Sequence, residues 1–229
     1  MHYVVEQAEK LLKKMKDKES YNLIVCHLGN GASVTAVSGG KSTETSMGFT
    51  PLSGLMMGTR CGSVDPSLIQ YACQELNKSV DEVTHDMNKN SGLKAMSVDG
   101  DNDMRSLLKQ AEEKDGEAAA AAKLAVDMFV YRLSQHIASS MIALQGPLDA
   151  IVFTAGIGEH SAVIRKMTCD TLHQSLLPNL TLDDSRNEQH GKGSTGVVTK
   201  DGTWPLVLTV ATDEEIMIAK ECLRLVSSS

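Results

Sequence analysis

Apolar and polar positions alternate along the chain with helical periods in some segments and strand-like runs in others. The first helix is predicted over residues 3–15, where apolar positions repeat every three or four residues and lysines occupy the opposite face. The uninterrupted apolar run at residues 23–26 predicts a buried strand, and residues 149–154 predict a second, short one. The longest helical period, from about residue 116 to residue 145, ends at Gly146-Pro147 and predicts a central packed helix.

The same patterns predict shorter elements in the rest of the chain. Val34 and Ala36 indicate a strand that returns beside residues 23–26 and closes at the tight turn Gly39-Gly40. Residues 46–66 have little periodicity and are rich in glycine and proline, so we expect a long ordered loop there. The remaining predicted elements are helices at 66–76, 80–91, 103–113, 161–173 and 214–226, and strands at 195–198 and 205–210.

Composition narrows the class of protein. The chain has 229 residues, of which 41% are hydrophobic, which is ample for a core. The net charge of −7, without a stripe of Lys or Arg, argues against a nucleic-acid or anionic-membrane partner. No apolar run has membrane-spanning length and no signal peptide is recognisable. The five cysteines are scattered without a Cys-x-x-Cys pair, so we expect a cytoplasmic protein.

The turn between the first two predicted strands has the composition of a phosphate-binding site. It follows His27 and Leu28 and consists of Gly29, Asn30 and Gly31. The glycines let an anion approach the main chain, and successive N–H groups and the Asn30 amide are suitable donors to phosphate oxygens. The alternative is an ordinary hairpin turn, because Gly-Asn-Gly is common in hairpins. His27 by itself fits a packed histidine at a strand end better than a base.

The loop at residues 46–66 contains one arginine among small residues. The planar guanidinium of Arg60 is suited to a phosphoryl group. The alternatives are a surface arginine, or one that pairs with Asp65 and braces the loop. Met56 and Met57 are expected in the core.

A second glycine turn follows the predicted strand at residues 149–154. Strand, glycine turn and helix in this order are the layout of a nucleotide site. The segment does not complete a dinucleotide fingerprint, because Ser161 stands at its third glycine position, and the chain contains no Walker loop.

Two predicted helix starts carry further polar candidates. Asp103 is suited to cap a helix, and Arg105 is suited to a ribose or a base. Residues 212–215 (Thr-Asp-Glu-Glu) also resemble a helix N-cap, although a carboxylate near phosphates could hold Mg²⁺ directly or through water.

In order and spacing, four of these motifs together resemble the acetate kinase family. They are residues 27–33 (His-Leu-Gly-Asn-Gly-Ala-Ser), the long string at 45–60, residues 153–159 (Phe-Thr-Ala-Gly-Ile-Gly-Glu) and residues 212–215. The resemblance covers almost the whole chain. It implies an α/β fold, an actin-like or ribonuclease H-like domain with a mixed sheet flanked by helices, which is the nucleotide-binding half of a two-domain kinase.

The resemblance also implies roles for individual residues. Arg60 would stabilise the phosphoryl group in transfer, and Glu214 would serve Mg²⁺. The residues expected to bind ATP or ADP are His27, Leu28, Gly29, Asn30, Gly31, Asp103, Met104, Arg105, Gly156, Ile157, Gly158, Glu159 and His160. The family usually has asparagine where His160 stands here, and Ser63 stands where it usually has an aspartate.

The implied activity is reversible transfer of the ATP γ-phosphate to acetate, which gives acetyl phosphate and ADP. By the resemblance, residues 1–20 lead in from an amino-terminal domain, and residues 21–229 form the nucleotide-binding domain. The first domain would supply the acetate-contacting arginine and a catalytic aspartate, so we expect this chain to be inactive alone. We also expect a homodimer. The alternatives are a non-catalytic nucleotide-binding or dimerisation module, a propionate or butyrate kinase, and a phosphoryl donor other than ATP.

Overall fold

The computed structural model describes residues 1–113 and 115–227, without the side chains of Glu214, Glu221, Arg224 and Ser227. The described residues form one five-stranded sheet and ten α-helices. The strands are β1 (Asn22–Leu28), β2 (Ala32–Ser38), β3 (Lys41–Thr45), β4 (Ala150–Thr154) and β5 (Leu206–Thr209). The helices are α1 (His2–Met15), α2 (Ser67–Leu76), α3 (Val80–Lys89), α4 (Gly92–Met96), α5 (Met104–Ala111), α6 (Glu117–Ser140), α7 (Ala155–His160), α8 (Ala162–Ser175), α9 (Asp184–Glu188) and α10 (Glu214–Ser227).

The sheet is mixed, with strand order β3-β2-β1-β4-β5. Strands β1, β2 and β3 form an antiparallel meander, whereas β4 and β5 run parallel to β1. In the β1–β4 register His27 lies opposite Thr154. The carboxyl ends of β1 and β4 therefore meet at one edge of the sheet, which is where open α/β sheets bind ligands.

Both faces of the sheet are covered. On one face, β1, β2 and β4 pack against α5, α6 and α8 in a core that contains Phe129, Leu133 and Phe153. On the other face, Val4, Val5, Ala8 and Leu12 of α1 share a second core with the sheet. This packing explains the amphipathic pattern of α1, since its apolar stripe is what it buries. The division of the chain at residue 20 stays a prediction.

Several predicted elements are confirmed. Helix α1, the β1–β2 hairpin, the loop at residues 46–66, and helices α2, α3, α5, α6, α8 and α10 lie where the periodicity placed them, within a few residues. Both Met56 and Met57 are buried. In the described residues, no helix is both long and apolar enough to cross a membrane.

Other predictions were wrong or incomplete. Strand β3 was missed because all five of its residues are exposed and none is hydrophobic. The predicted strand at 195–198 is absent from the described secondary structure, and Val197 forms only an isolated bridge with Leu208. The segment after β4, expected as a glycine turn, is the short helix α7, which begins with Ala155 at a φ of 64°. Helices α4 and α9 span five residues each, too few to show a helical period.

Candidate functional site

A cavity of about 970 Å³ opens at the edge of the sheet where β1 and β4 end. Segments from distant parts of the sequence form its wall, and many of the residues that line it were predicted as site residues. The predicted residues that line it are Gly29, Asn30, Asp103, Met104, Arg105, Gly156, Ile157 and His160. The sequence motifs that suggested a nucleotide therefore converge on one space of the size of a small-molecule site.

The glycine turn after β1 forms one end of this wall. Leu28 pairs with Ala32 at the end of the hairpin, and the N–H of Gly29 donates to the carbonyl of Gly31 at 3.0 Å, which closes the turn. The side chain of Leu28 is buried in the core, so only its backbone can serve a ligand. Partly buried His27 lies at the end of β1 and is absent from the cavity lining.

Arg60 lies beside this turn. A Cβ atom built on Gly31 would lie 3.6 Å from Nη1 of Arg60. The same Nη1 donates to the sulfur of Met57 at 3.4 Å. No described side chain supplies a carboxylate partner to Arg60, and the alternative partner Asp65 instead accepts from the N–H of Ser67 at 2.8 Å. The pKa of Asp65 is held below its usual value by its hydrogen bonds with Ser67. The guanidinium is therefore placed for an anion at the turn.

Backbone hydrogen bonds fix the loop that carries Arg60. The N–H of Met57 donates to the carbonyl of Arg60 at 3.0 Å and closes the loop on itself. The segment that leads into α4 then holds it, since Leu93 N–H donates to Met57 and Ser91 N–H donates to Thr59. This network fixes the path of the backbone on both sides of the arginine.

At the start of α5, Asp103 and Arg105 form a bidentate pair. Nε of Arg105 donates to Oδ1 of Asp103 at 3.0 Å and Nη2 donates to Oδ2 at 2.6 Å. Asp103 also caps the helix by accepting from the N–H of Arg105 at 2.9 Å, as predicted. These hydrogen bonds lower the pKa of Asp103 to about 2, so its carboxylate is ionised at neutral pH. The pair is exposed at the cavity wall, where it can hydrogen-bond a ligand.

Helix α7 divides the predicted nucleotide-binding residues at 156–160 into two groups. A Cβ on Gly156 would meet no atom within 4 Å, so this glycine opens into the cavity. Gly158 is buried against β4, where a Cβ would lie 3.3 Å from the carbonyl carbon of Phe153, and it is not part of the lining. Glu159 is also absent from the lining. Packing against the strand, rather than a ligand, accounts for Gly158.

The carboxylate of Glu159 acts on the protein backbone. Its Oε1 accepts from the N–H of Ala155 at 2.9 Å and from the N–H of Thr212 at 3.1 Å. Glu159 thereby ties the start of α7 to the segment that enters α10. These contacts make Glu159 a brace for the wall, and nucleotide binding by this residue stays a prediction.

A fully buried arginine lies behind the cavity wall. Nη1 of Arg165, on α8, donates to the carbonyls of Gly158 at 2.8 Å and Glu159 at 2.9 Å. Its Nε and Nη2 donate to Asn187 of α9 at 2.8 and 2.7 Å. Burial lowers the pKa of Arg165 to about 10, which leaves it cationic at neutral pH. Arg165 therefore joins α7 to α9, the two elements that form one side of the cavity.

Sequence reasoning missed part of the lining. The missed residues are Gly58, Leu93, Asn102, Leu108, Phe129, Ser161, Ala162, Val163, Glu188 and His190. Most lie in elements to which the sequence pattern assigns only structural roles. Glu188 ends α9, a helix that the pattern does not predict, and His190 follows it. The rings of His160 and His190 meet edge to face with centroids 5.9 Å apart. The sequence alone does not show that these two histidines are neighbours, because only the fold brings them together in one wall.

The predicted metal ligand Glu214 begins α10, but its side chain lies outside the described part of the structure. Within the described residues, no group of three or more His, Cys, Asp or Glu side chains is close enough to hold a metal ion. Mg²⁺ bound with a nucleotide takes much of its coordination from phosphate and water.

Comparison with known proteins identifies the family. A model of the acetokinase family matches residues 1–220. The chain belongs to the acetokinase family. It is 47% identical over 225 residues to the acetate kinase of Shewanella amazonensis and 41% identical over 227 residues to that of Lawsonia intracellularis. Each alignment covers at least 98% of this chain but 53% of the relative, so this acetokinase-family chain spans about half the length of these curated relatives.

Solved structures of the family have the same fold. A propionate kinase from Francisella tularensis matches with a TM-score of 0.81 and 40% identity, over 96% of this chain and 54% of the other. The acetate kinase from Entamoeba histolytica matches with a TM-score of 0.83 and 33% identity, over 96% of this chain and 55% of the other. The predicted actin-like domain, a mixed sheet flanked by helices, is confirmed.

Proposed function

We propose that this chain is the nucleotide-binding half of a kinase that transfers the γ-phosphate of ATP to acetate. The observation that carries the proposal is the single cavity that unites the Gly29–Asn30 turn, the Asp103–Arg105 pair and Gly156, with Arg60 next to the same turn. These residues supply N–H donors, a guanidinium and an open wall, which are the groups that phosphoryl transfer requires.

The geometry supports one orientation of the nucleotide. We place adenosine between α5 and α7, against Arg105, Gly156 and His160, and the phosphates toward the turn after β1. Arg60 then faces the phosphoryl group in transfer. A carboxylate oxygen of acetate forms a bond to the γ-phosphorus while the bond from that phosphorus to the β–γ bridging oxygen breaks, which yields acetyl phosphate and ADP. Negative charge on the phosphoryl oxygens is stabilised by the Arg60 guanidinium.

The residues that would contact acetate are not assigned in this chain. Because its relatives are about twice as long, we propose that the second half of the catalytic site comes from an amino-terminal domain, and that the isolated chain does not turn over acetate. Bound Mg²⁺, served by Glu214, would neutralise phosphate charge. A non-catalytic nucleotide-binding module would bind ADP and stay inactive even when it is joined to that domain.

Propionate is a second candidate acceptor, because a structure at 40% identity is that of a propionate kinase. The described cavity holds the proposed nucleotide and gives no measure of the acyl pocket. Acceptor preference therefore has to be tested with acetate, propionate and butyrate on the same protein.

We also propose a cytoplasmic homodimer. On α6, Leu124, Met128 and Tyr131 are exposed at helical spacing and form one apolar stripe, which supports an interface on this face. Light scattering of the purified chain tests the dimer. A dimer that Leu124→Glu converts to a monomer supports the stripe, and a monomeric unaltered chain contradicts it.

The experiment for the reaction joins this chain to the amino-terminal half of the Shewanella amazonensis acetate kinase. We expect acetyl phosphate, trapped as the hydroxamate, from the fusion and none from the 229-residue chain alone. Arg60→Ala in the fusion should abolish the product, and Lys123→Ala, at an exposed pair on α6, should not. A folded fusion that binds ADP but forms no acyl phosphate with any acceptor would contradict the proposed reaction.

A further inference from the structure

The contact between Arg165 and His190 fixes the tautomer of a histidine in the cavity wall. Nη2 of Arg165 lies 3.1 Å from Nδ1 of His190. A guanidinium has only donors, so Nδ1 has to be the acceptor in this hydrogen bond. The single proton of the neutral imidazole is then on Nε2, and the buried arginine determines which edge of the ring donates.

The donor edge of His190 is accessible to a ligand. His190 lines the cavity, and its Nε2 makes no hydrogen bond with any described residue. Buried side-chain atoms without a partner in the described chain belong to Ser134, Thr168, His173 and Thr199, and His190 is not among them. Nε2 of His190 therefore has no partner among the described residues and is not buried, so a ligand can reach it.

The groups around His190 favour the neutral ring. Burial, Arg165 from α8, His160 from α7 and Lys192 from the following loop all lower the pKa of His190, and Glu188 of α9 opposes them. A second proton would have to be placed on Nδ1, where it would face the guanidinium. The Nε2–H donor and the neutral charge are therefore maintained together at neutral pH.

We propose that His190, oriented by Arg165, is a specificity residue that donates from Nε2 to a ring-nitrogen acceptor of a purine base bound in this cavity. Arg165 is the positioning residue, because it acts through His190 and lies behind the wall. The inference rests on the proposed nucleotide site and adds to it a contact that selects the base. It also gives the buried cation a role beyond joining α7 to α9.

The orientation is tested without any nucleotide. Long-range ¹H–¹⁵N spectra of the 229-residue chain, with the His190 signals assigned by loss in His190→Gln, report the protonation of each ring nitrogen. We expect an unprotonated Nδ1 and a protonated Nε2 at pH 7. A proton on Nδ1, or rapid exchange between both tautomers, would overturn the proposal.

The contact to the base is tested with matched variants at position 190. His190→Gln keeps a donor and supplies an oxygen that can accept from Arg165, whereas His190→Leu has neither. Both variants experience the same left-handed backbone, at a φ of 54°, so their difference reports the side chain. We expect His190→Leu to weaken ADP binding by about three- to tenfold, the range for one neutral hydrogen bond, and His190→Gln to restore most of it.

The acceptor is identified with 1-deaza-, 3-deaza- and 7-deaza-ADP, each of which lacks one ring nitrogen. We expect one analogue to bind the unaltered chain more weakly than ADP does. The affinity for that analogue should not fall any further in His190→Leu, because the hydrogen bond is already missing. The exposed His85 of α3 is the control, and His85→Leu should bind ADP like the unaltered chain. The base contact would be overturned if His190→Gln and His190→Leu lost the same affinity for ADP. It would also be overturned if His190→Leu reduced the affinity for every analogue by the same factor.

The two proposals fail in different ways. If the unaltered chain binds ADP and His190→Leu binds it equally well, the contact with the base is wrong and the nucleotide site stands. If the unaltered chain does not bind ADP, the nucleotide site is wrong and the base contact falls with it, whatever tautomer the spectra show.

Discussion

Nη1 of Arg60 lies 3.6 Å from the position that a Cβ on Gly31 would occupy. An arginine from the long loop and the glycine turn after β1 thus form one corner, although Arg60 lies 29 positions after Gly31 in the sequence. No described carboxylate pairs with Arg60. The corner therefore presents a guanidinium and N–H groups to the same anion, which is the relationship on which the proposed phosphoryl site depends.

Arg60→Ala should remove catalysis without unfolding the protein. In a fusion that contains both halves of the site, we expect turnover to fall by several orders of magnitude while ADP affinity changes little, because the guanidinium acts chiefly on the transition state. Since Arg60 has no described ion pair, the melting temperature of the 229-residue chain should change by only a few degrees. An equal loss of ADP binding would make Arg60 a ground-state ligand instead.

Gly92 should be essential to the position of the Arg60 loop. It has a φ of 64°, and a Cβ there would lie 2.1 Å from the carbonyl oxygen of Met57 and 2.7 Å from that of Arg60. Gly100 is a matched control, with a φ of 69° and its nearest atom at 3.9 Å. Gly100→Ala should cost about 1 kcal/mol of unfolding free energy from backbone strain, and Gly92→Ala about 1–3 kcal/mol more from the clash. Urea unfolding measures both, and equal losses would contradict the clash.

The buried Arg165 should contribute strongly to stability. Arg165→Met leaves the carbonyls of Gly158 and Glu159 and the Asn187 side chain without their donor, so we expect a loss of about 3–5 kcal/mol. The control is Arg186→Met on α9, because Arg186 pairs with the exposed Asp201 at the surface and its loss should destabilise the chain clearly less than the loss of Arg165. Similar losses in the two variants would show that the hydrogen bonds of Arg165 do not hold α7 and α9 together.

Acid should destabilise the chain partly through its shielded histidines. The pKa of His190 is lowered by burial and by Arg165, and that of His136 is lowered by burial and by Arg132, against a backbone hydrogen bond with Gly54. The unfolded chain therefore binds more protons just below pH 6.5, and stability should fall as the pH decreases from 6.5 toward the folded pKa values. Above pH 6.5 these contributions are fully present.

The measurement is the unfolding free energy at pH 7.5 and pH 5.5. His190→Gln should show a smaller decrease between the two than the unaltered chain, because it no longer carries one of these groups. The exposed His85→Gln is the control for the loss of one histidine. A decrease that is identical in the unaltered chain and in His190→Gln would mean that His190 does not titrate differently on folding.

The fold was largely predictable because its elements have strong local signals. The 24-residue helix α6 and the apolar strands β1 and β4 contain many buried side chains whose spacing sets their structure. Strand β3 has no such signal, since it is exposed and its position depends on pairing with β2. Short helices such as α9 depend on a cap and on tertiary contacts, which periodicity over a few residues does not reveal.

The candidate site was predictable where a local sequence motif marks a backbone turn. It was not predictable where residues distant in sequence come into contact. Gly29, Asn30 and Gly156 were identified because glycine turns after strands are typical of phosphate and nucleotide sites. Gly158 and Glu159 belong to the same motif, yet they serve packing and backbone hydrogen bonds. His190 was missed because Arg165 and the fold, rather than its neighbours in sequence, bring it to the cavity.

Calorimetric titration of the 229-residue chain with ADP, with and without Mg²⁺, shows whether the cavity between α5 and α7 binds a nucleotide. We predict saturable micromolar binding at one site. Gly156→Leu should abolish it by filling open space, whereas Ala120→Leu on the exposed face of α6 should not affect it. No binding by the folded chain, or unchanged binding by Gly156→Leu, would contradict the account.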